Sequence, residues 1–344
     1  MSIIKKIESA CLIGRGGAGF PTHIKLQAVA KSKSKVRYLV INGAEGEPGI
    51  YKDGYIIKNH LKEFSQGVKI ASDFIKAKKI YFYLNSKYYK LYNSAIIKEF
   101  NKAGLKGQFE IFKKPKEAGY IGGEESTILN IIEGQHLEPR LRPPFPTEKG
   151  LFGEPTLINN IETIYNIYLV SINKFSHQRF YSINLASKNI GVYSLPDDWS
   201  IAKVLRETGN YPDYKFFVQV GGDASGDVLN EKQLEQKVSG AGSITIYDLE
   251  KHQSLELIKY WLSFFVGHSC GQCAPCREGT YRLLELFEDI SSSSKCQKDC
   301  LLKANKDFLD ICENLSLSSF CALGVSAPIA VLSYFKNVFP LKVS

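Results

Sequence analysis

Apolar residues follow two different spacings along the first half of the chain. Residues 3–12, 61–76 and 88–102 carry them at the 3.6-residue spacing of helices. A near-continuous apolar run at 38–41 is instead typical of a buried strand, and two further strands are predicted at 79–84 and 108–112. Strands that alternate with helices predict a parallel, doubly wound α/β unit.

The pattern changes twice in the second half of the chain. Residues 175–250 hold short strand-like runs around one helix near 201–207, which predicts a small α+β domain. From residue 251 to 344 the spacing is helical almost throughout, with glycine and cysteine loops between the helices. We therefore expect three domains, covering 1–174, 175–250 and 251–344.

The composition is typical of a folded soluble protein. Of 344 residues, 44% are hydrophobic and 23% are charged, which excludes wholesale disorder and fibrous repeats. The best apolar run, 322–335, is shorter than the roughly 18 residues that a membrane span needs, and it contains Pro328. The charged N-terminus does not have the pattern of a signal peptide.

Positive charge is concentrated in the first third of the chain. Residues 1–120 hold 23 basic and 9 acidic side chains, within a net charge of +9. Such a basic part can attract nucleotide phosphates, nucleic acid or an acidic partner, although an A/T-rich genome also favours lysine codons. The lysines are scattered and no recognised nucleic-acid-binding motif is present, so we expect no nucleic-acid partner.

The cysteines give the strongest chemical signal. Cys270, Cys273 and Cys276 are spaced C-x2-C-x2-C, which lets one short loop supply three thiolates to an iron–sulfur cluster. A zinc site would usually take two separated C-x2-C pairs, which this spacing does not supply. The fourth ligand stays open at this point among four cysteines: Cys296, Cys300, Cys312 and Cys321.

A glycine-rich loop at residues 14–19 formally matches G-x-G-x-x-G. The preceding residues are helical in pattern, and about 20 residues on there are lysines rather than an acid, so the dinucleotide-binding context is missing. Four glycines in six residues still let backbone N–H groups approach a phosphate. A purely structural tight turn is the alternative.

Three further polar segments have both a binding and a structural interpretation. YIGGEES at 120–126 opens a helix, whose N-terminus can bind an anion or simply be capped by its two carboxylates. The loop NGAEGEPG at 42–49 is either a ligand loop or a solvated turn, and the asparagine pair at 159–160 is either a ligand contact or a helix cap.

Together these motifs resemble one family from about residue 3 to residue 340. The combination is GRGGAGFPT at 14–22, NGAEGEPG, YIGGEES, PPFP at 143–146, PTLINNIET at 155–163, SCGQCAPCREG at 269–279 and CALG at 321–324. It is similar to the flavin- and NADH-binding subunit of respiratory complex I, the 51-kDa or F subunit family of NADH-quinone oxidoreductase. The resemblance implies a Rossmann-like FMN domain at 1–174, a ubiquitin-like β-grasp domain at 175–250 and a helical [4Fe-4S] domain at 251–344.

The resemblance also implies roles for individual residues. Cys321 would be the fourth cluster ligand. Phe20 and Phe145 would stack on the adenine of NADH, and Glu47 and Glu125, the expected catalytic residues, would lie near the nicotinamide. The implied FMN contacts are Gly14, Arg15, Gly16, Gly17, Gly19, Lys25, Asn42, Glu45, Tyr120, Gly123, Glu124, Asn159 and Asn160.

The implied activity is that of an NADH dehydrogenase. A nicotinamide hydride carries two electrons and an iron–sulfur cluster accepts one, so a flavin stands between them, and no general acid or base is required. The implied partners are a small thioredoxin-like [2Fe-2S] subunit and a large iron–sulfur subunit, on the cytoplasmic face of the inner membrane. The alternatives are the diaphorase subunit of a soluble NAD-linked hydrogenase or formate dehydrogenase, and an electron-relay subunit that takes its electrons from a protein donor.

Four positions depart from the family pattern. Ala28 stands where the family usually has a second adenine-contacting aromatic, and Ala44 stands where it has an aspartate. Gly54 replaces an arginine and Gly122 replaces a cysteine. The chain also begins almost at the glycine loop, without the added domains of hydrogenase relatives, which favours the complex I interpretation as an expectation.

Overall fold

The computed structural model describes residues 2–184, 189–252, 254–292 and 297–339. These residues form two compact units. The described residues of the first unit fall within Met1–Gly46, Tyr51–Tyr181 and Ser194–Asp198, and those of the second fall within Glu47–Ile50, Ser182–Tyr193 and Trp199–Ser344.

The first unit is a four-stranded sheet covered by helices. Its strands are β1 (Tyr38–Gly43), β2 (Lys79–Leu84), β3 (Phe109–Lys113) and β4 (Thr156–Asn160). Its helices are α1 (Ile3–Ser9), α2 (Thr22–Ala30), α3 (Lys52–Asn59), α4 (Leu61–Ile75), α5 (Ser86–Lys102), α6 (Glu125–Ile132) and α7 (Ile161–Ser171). Short 3-10 turns lie at Lys116–Ala118, Ile121–Gly123 and Leu151–Gly153.

All strand pairs in this sheet are parallel, in the order β3-β2-β1-β4. The predicted parallel α/β unit is therefore confirmed. From β1 the chain adds β2 and then β3 on one side, and it then returns to add β4 on the other side of β1. This reversal creates a topological switch point between the carboxyl ends of β1 and β4, which is where ligands bind in open α/β sheets.

The sequence pattern does not predict β4, α2 or α3. The residues of β4 stand out only as a motif, because a strand of five residues after a proline-rich turn carries little periodic signal. The α3 helix begins with Lys52 and Asp53, which are typical of a solvated turn but are both buried in the structure. Burial of a charged pair is decided by partners that are distant in sequence.

The second unit contains a mixed sheet and the C-terminal helices. Its sheet has the order β6-β5-β9-β7-β8, with β5 and β9 parallel and β7 antiparallel to both neighbours. The strands are β5 (Gln178–Asn184), β6 (Gly191–Pro196), β7 (Phe216–Val220), β8 (Asp227–Asn230) and β9 (Ser243–Asp248), the first two shared between the units. One helix, α8 (Ile201–Glu207), accompanies them, together with a 3-10 turn at Glu231–Gln233.

The C-terminal part is helical, as the pattern predicts. Its helices are α9 (Leu249–His252), α10 (Leu255–His268), α11 (Ala274–Ser292), α12 (Gln297–Ser318), α13 (Ala322–Ser326) and α14 (Ile329–Asn337). Trp261 and Tyr334 are fully buried, with their rings edge to face, and Trp261 donates to Gln219 in the sheet. In the part of the chain that the structure describes, we find no helix with the length and apolar character of a membrane span.

Candidate functional site

The predicted flavin residues of the first unit converge on the carboxyl ends of its strands. Asn42, at the end of β1, is the register partner of Asn160, at the end of β4. The Asn42 amide donates to the Gly123 carbonyl at 3.0 Å, and its oxygen accepts from the Ala44 N–H at 3.1 Å. This side chain therefore ties the 42–49 loop to the turn that precedes α6.

Asn160 lies in a buried ionic network. Its oxygen accepts from the Lys52 ammonium at 2.9 Å, and its amide donates to the Asp53 carboxylate at 2.7 Å. Lys52 also lies 2.8 Å from Asp53 and 3.3 Å from Glu162. Burial acts to lower the pKa of Lys52, but these carboxylates outweigh it and raise the pKa. Since the Asn160 oxygen also accepts from the Glu162 N–H and caps α7, the capping role left open by the sequence is present.

Asn159 is different from its neighbour. Its side chain is only 6% exposed, and its amide nitrogen has no hydrogen-bond partner among the described residues. A buried amide without a partner carries a desolvation cost of about 1–3 kcal/mol. A ligand atom at the switch point would remove that cost.

The glycine loop closes back on itself at the start of this edge. The Gly14 N–H donates to the Phe20 carbonyl at 2.8 Å. Gly17 has a φ of +116° with no atom within 4 Å of where a Cβ would stand, so this backbone is open. At Gly16, a Cβ would lie 3.4 Å from Cβ of Asn160, which places the loop against the end of β4.

Arg15 is the one large side chain of this loop, and it is buried. Its guanidinium pairs with Asp197 at 2.5 Å, while its N–H donates to the Thr163 hydroxyl at 2.9 Å. The side chain is 4% exposed, so Arg15 anchors the loop within the first unit.

Lys25 and Glu125, two predicted site residues 100 positions apart, form an ion pair. The Lys25 ammonium also donates to the Ile158 carbonyl of β4 at 2.9 Å. Lys25 thereby joins α2 to the end of the sheet and to the first turn of α6.

Glu124 caps α6. One of its carboxylate oxygens accepts from the Ser126 and Thr127 N–H groups at 2.9 and 2.8 Å, and the other pairs with Arg142. This is the helix-capping interpretation that the sequence left open. Tyr120 precedes the short turn Ile121–Gly123, Gly123 ends it, and Glu124 follows directly.

Glu45 is held by three donors. It accepts from the Asp53 N–H at 2.8 Å, the Gly54 N–H at 3.3 Å and the Tyr88 hydroxyl. Burial of the carboxyl, reinforced by the nearby Asp53 charge, raises the pKa of Glu45 to about 8. The loop that contains it is therefore a structured cap at the start of α3, and the solvated-turn alternative does not describe it.

The remaining predicted NADH residues differ in their setting. Phe20 and Phe145 are 48% and 51% exposed, so a ligand can reach both rings. Glu47 is grouped with the second unit, where its carboxylate accepts from the Ser225 N–H at 2.9 Å and the Ser225 hydroxyl at 2.6 Å. A side chain at Gly222 would collide with this carboxylate.

The predicted cluster ligands meet in the second unit. Burial raises the pKa of the Cys276 thiol to about 11, opposed by a hydrogen bond with Ser269 and reinforced by the charges of Cys273, Cys321 and Cys270. Cys321 is the N-cap residue directly before α13, and a Cβ at Gly324 in the same CALG segment would lie 3.0 Å from Cβ of Cys276. The structure therefore brings all four predicted cysteines together.

The other candidate ligands lie elsewhere or outside the described residues. Cys312 is buried on α12, and the pKa of its thiol is raised to about 12 by burial alone, with no contribution from another thiol. Cys296 lies outside the described residues, and the side chain of Cys300 is not among those described. Across the described ranges, no three His, Cys, Asp or Glu side chains are arranged to hold a single metal ion. In a [4Fe-4S] cluster each thiolate binds a different iron, which requires wider spacing.

Comparison with known families gives the class of protein. Residues 7–169 match the family described as "Nuo51 FMN-binding domain". Residues 256–341 match the family described as "NADH-ubiquinone oxidoreductase-F iron-sulfur binding region". Fold, site and matches together define a flavin- and iron–sulfur-binding oxidoreductase subunit. The chain belongs to the family of the F subunit of NADH-quinone oxidoreductase.

Relatives match over nearly the whole chain. The F subunit of NADH-quinone oxidoreductase from Streptomyces coelicolor is 30% identical over 98% of this chain and 82% of its own length. Its counterpart from Aquifex aeolicus is 30% identical over 94% and 81%. The alpha subunit of the NAD-reducing hydrogenase HoxS of Cupriavidus necator is 29% identical over 98% and 59%.

A solved structure has the same fold. The NAD+-reducing [NiFe]-hydrogenase in the H2-reduced state matches with a TM-score of 0.89 and 26% identity over 98% of this chain. This chain spans 62% of that hydrogenase chain.

Several residues of the site were missed by sequence reasoning. Lys52, Asp53, Tyr88 and Asp197 all contact predicted site residues but belong to no glycine or cysteine motif. Their partners lie 8 to 182 positions away along the chain. No local signal in the sequence could have selected them.

Proposed function

We propose that this chain is the NADH-oxidising subunit of a complex I-like NADH-quinone oxidoreductase. FMN binds at the carboxyl edge of the parallel sheet, and a [4Fe-4S] cluster binds in the helical part. The observation that carries the proposal is the switch point between β1 and β4, where Asn42, the unpaired amide of Asn159 and the open Gly17 backbone lie at one edge.

The residues at this edge fit a flavin nucleotide. Asn159 offers a buried donor that lacks a protein partner among the described residues, and the glycine loop offers backbone that a ligand can approach closely. Because the Arg15 side chain pairs with Asp197 and its N–H donates to the Thr163 hydroxyl, Arg15 holds the loop in place. The remaining proposed FMN residues are Gly14, Gly16, Gly19, Lys25, Asn42, Glu45, Tyr120, Gly123, Glu124 and Asn160.

The four cysteines fit an iron–sulfur cluster. Their mutual proximity and burial favour neutral thiols in the bare protein, as the raised pKa of Cys276 indicates. Bound metal supplies the positive charge that converts coordinating thiols to thiolates. Cys270, Cys273, Cys276 and Cys321 are accordingly the proposed ligands.

A bound flavin would supply the chemistry that links a two-electron hydride donor to a one-electron cluster. The chain's own residues bind and orient the reactants. Phe20 and Phe145 present exposed rings for stacking on adenine. Glu125, held by Lys25, and Glu47, held by Ser225, are the proposed residues at the nicotinamide end.

The proposal also covers the domains, the partner subunits and the location of the chain. We assign a Rossmann-like domain to 1–174, a β-grasp domain to 175–250 and a helical cluster domain to 251–344. Members of this family belong to multisubunit complexes, which supports a thioredoxin-like [2Fe-2S] subunit and a large iron–sulfur subunit as partners. The complex would hold the chain on the cytoplasmic face of the inner membrane.

Anaerobic reduction tests the proposal. The full chain is reconstituted with FMN and iron–sulfur cluster, NADH is added, and the visible flavin band is followed. Bleaching by NADH is the expected result. Absence of bleaching with NADH and NADPH, while dithionite reduces both centres, would overturn it.

The electron-relay alternative has one observation in its favour. Ala28 is exposed on α2, where the family usually has a second aromatic for adenine. A chain that takes electrons from a protein donor would bind FMN and cluster but would show no NADH bleaching, so the same experiment separates the two functions.

A further inference from the structure

Lys114 is a buried lysine that belongs to none of the predicted site motifs. It directly follows β3 at the carboxyl edge of the parallel sheet. Its N–H donates to the Leu84 carbonyl at 2.8 Å, and its own carbonyl accepts from the Ser86 hydroxyl at 2.6 Å. The backbone is thus fixed at the ends of β2 and β3, and the side chain is only 7% exposed.

The Lys114 side chain lies against both proposed flavin loops. Its ammonium is 3.0 Å from where a Cβ on Gly46 would stand, in the 42–49 loop. Its Cε is 3.3 Å from the corresponding position on Gly122, in the 120–126 segment. The small residues Gly46 and Gly122 leave room for this long side chain.

No hydrogen bond or ion pair involves the Lys114 ammonium among the described residues. Burial without a compensating carboxylate lowers the pKa of Lys114 to about 8. The ammonium keeps some exposure, so a ligand can reach it, but a largely buried cation without a carboxylate partner is costly and needs a reason outside folding stability.

A second unpaired donor lies beside it. The Tyr83 hydroxyl is buried with no hydrogen-bond partner in the described structure, and it is 3.4 Å from the same Cβ position on Gly122. A charged ammonium and a neutral hydroxyl side by side are suited to an anionic oxygen, since charge-assisted hydrogen bonds are the stronger class. The anionic groups that nucleotides carry are phosphates.

We propose that Lys114 and Tyr83 form a phosphate-binding element of the nucleotide site. The inference rests on the proposed function and adds to it two residues that the family resemblance does not assign. Two sources share this chemistry, the phosphate of FMN and the pyrophosphate of the dinucleotide.

The test uses the full-length protein and three ligands. FMN and riboflavin are titrated by quenching of flavin fluorescence, and ADP-ribose by calorimetry, with wild type, Lys114→Met, Lys114→Arg and Tyr83→Phe. Lys113→Met, an exposed neighbour, is the matched control. The thermal midpoint of each ligand-free variant is recorded as well.

We expect Lys114→Met to lower the affinity for a phosphate ligand by roughly 10- to 100-fold. Tyr83→Phe should weaken it by about 2- to 10-fold, and Lys114→Arg by less than Lys114→Met. Loss with FMN but not riboflavin assigns the flavin phosphate, and loss with ADP-ribose alone assigns the dinucleotide. The ligand-free Lys114→Met protein should be at least as stable as wild type, because an uncompensated buried charge is removed.

Two results would overturn this inference alone. One is unchanged affinity of Lys114→Met for both phosphate ligands while the wild type binds FMN and is reduced by NADH. The other is a lowered ligand-free midpoint with equal weakening of riboflavin and FMN, which would indicate a structural role. Failure of the wild type to bind either flavin would instead overturn the proposed function, and this inference with it.

Discussion

The ring of Tyr88 occupies the space that a side chain at position 54 would need. A Cβ added at Gly54 would lie 2.4 Å from Cζ of Tyr88, and the Tyr88 hydroxyl donates to Glu45. The glycine lies on α3 and the tyrosine lies on α5. The two residues are therefore a matched pair.

Gly54→Ala should destabilise the protein by about 1–3 kcal/mol, since it overpacks a filled site. Tyr88→Ala in the same chain should recover part of that loss, which a double-mutant cycle measures in urea unfolding. Gly267→Ala is the matched control, because it is also helical and no atom lies within 4 Å of the new Cβ. That change should stabilise by about 0.5–1 kcal/mol. Equal effects of the two glycine substitutions would contradict the packing described.

Lys52→Met should be the most destabilising lysine substitution tested. The substitution leaves Asp53 and Glu162 buried without their cation. Removing one partner of a buried ion pair lowers the free energy of unfolding by about 3–5 kcal/mol. Lys69→Met, which removes an exposed pair with Asp73 on α4, should cost about 0.3–0.5 kcal/mol. The free energies of unfolding in urea compare the two, and a small loss for Lys52→Met would refute the buried network.

Stability of the ligand-free protein should depend on pH through Glu45. Its pKa is raised from 4.5 to about 8 by burial and the Asp53 charge, so the folded state holds a proton that the unfolded state releases between these values. The contribution is complete below pH 4.5 and is lost as pH rises to 8. Glu45→Gln should therefore flatten the decline in unfolding free energy across this window, whereas the exposed Glu117→Gln should leave it unchanged.

Cys321→Ser and Cys312→Ser should separate a cluster ligand from a core thiol. After anaerobic reconstitution, the wild type should hold about four irons per chain, and Cys321→Ser should lose iron and visible cluster absorbance. Cys312→Ser should retain the cluster and lose about 1–3 kcal/mol of stability, because a hydroxyl replaces a buried thiol. The reverse pattern would make Cys312 the ligand.

Phe145→Ala should weaken the binding of NADH and leave the affinity for FMN unchanged. Loss of one stacking partner costs roughly 0.5–1.5 kcal/mol beyond the buried area, which raises KM for NADH by about 2- to 12-fold. Phe152→Ala is the control, since Phe152 is exposed to the same extent, at 52%, but packs on Tyr38. If both variants raised KM alike, adenine stacking on Phe145 would be excluded.

The sequence alone determined the parts of this protein that rest on local order. The spacing of apolar residues located β1, β2, β3 and the C-terminal helices. Each element buries one face or its whole length, so its apolar residues recur at the spacing of a helix or a strand. The C-x2-C-x2-C spacing and the ordered glycine motifs indicated the cluster and the flavin, because each is a short segment that binds through adjacent residues.

Tertiary structure decided what depends on distant partners. It placed Cys321 with the first three cysteines, paired Lys25 with Glu125, and set Tyr88 against Gly54. Among the described residues, it also buried Lys52 with two acids and Lys114 with none. The sequence alone does not distinguish these two lysines. The free energy of a buried charge depends on groups that only folding brings within a few ångströms of it.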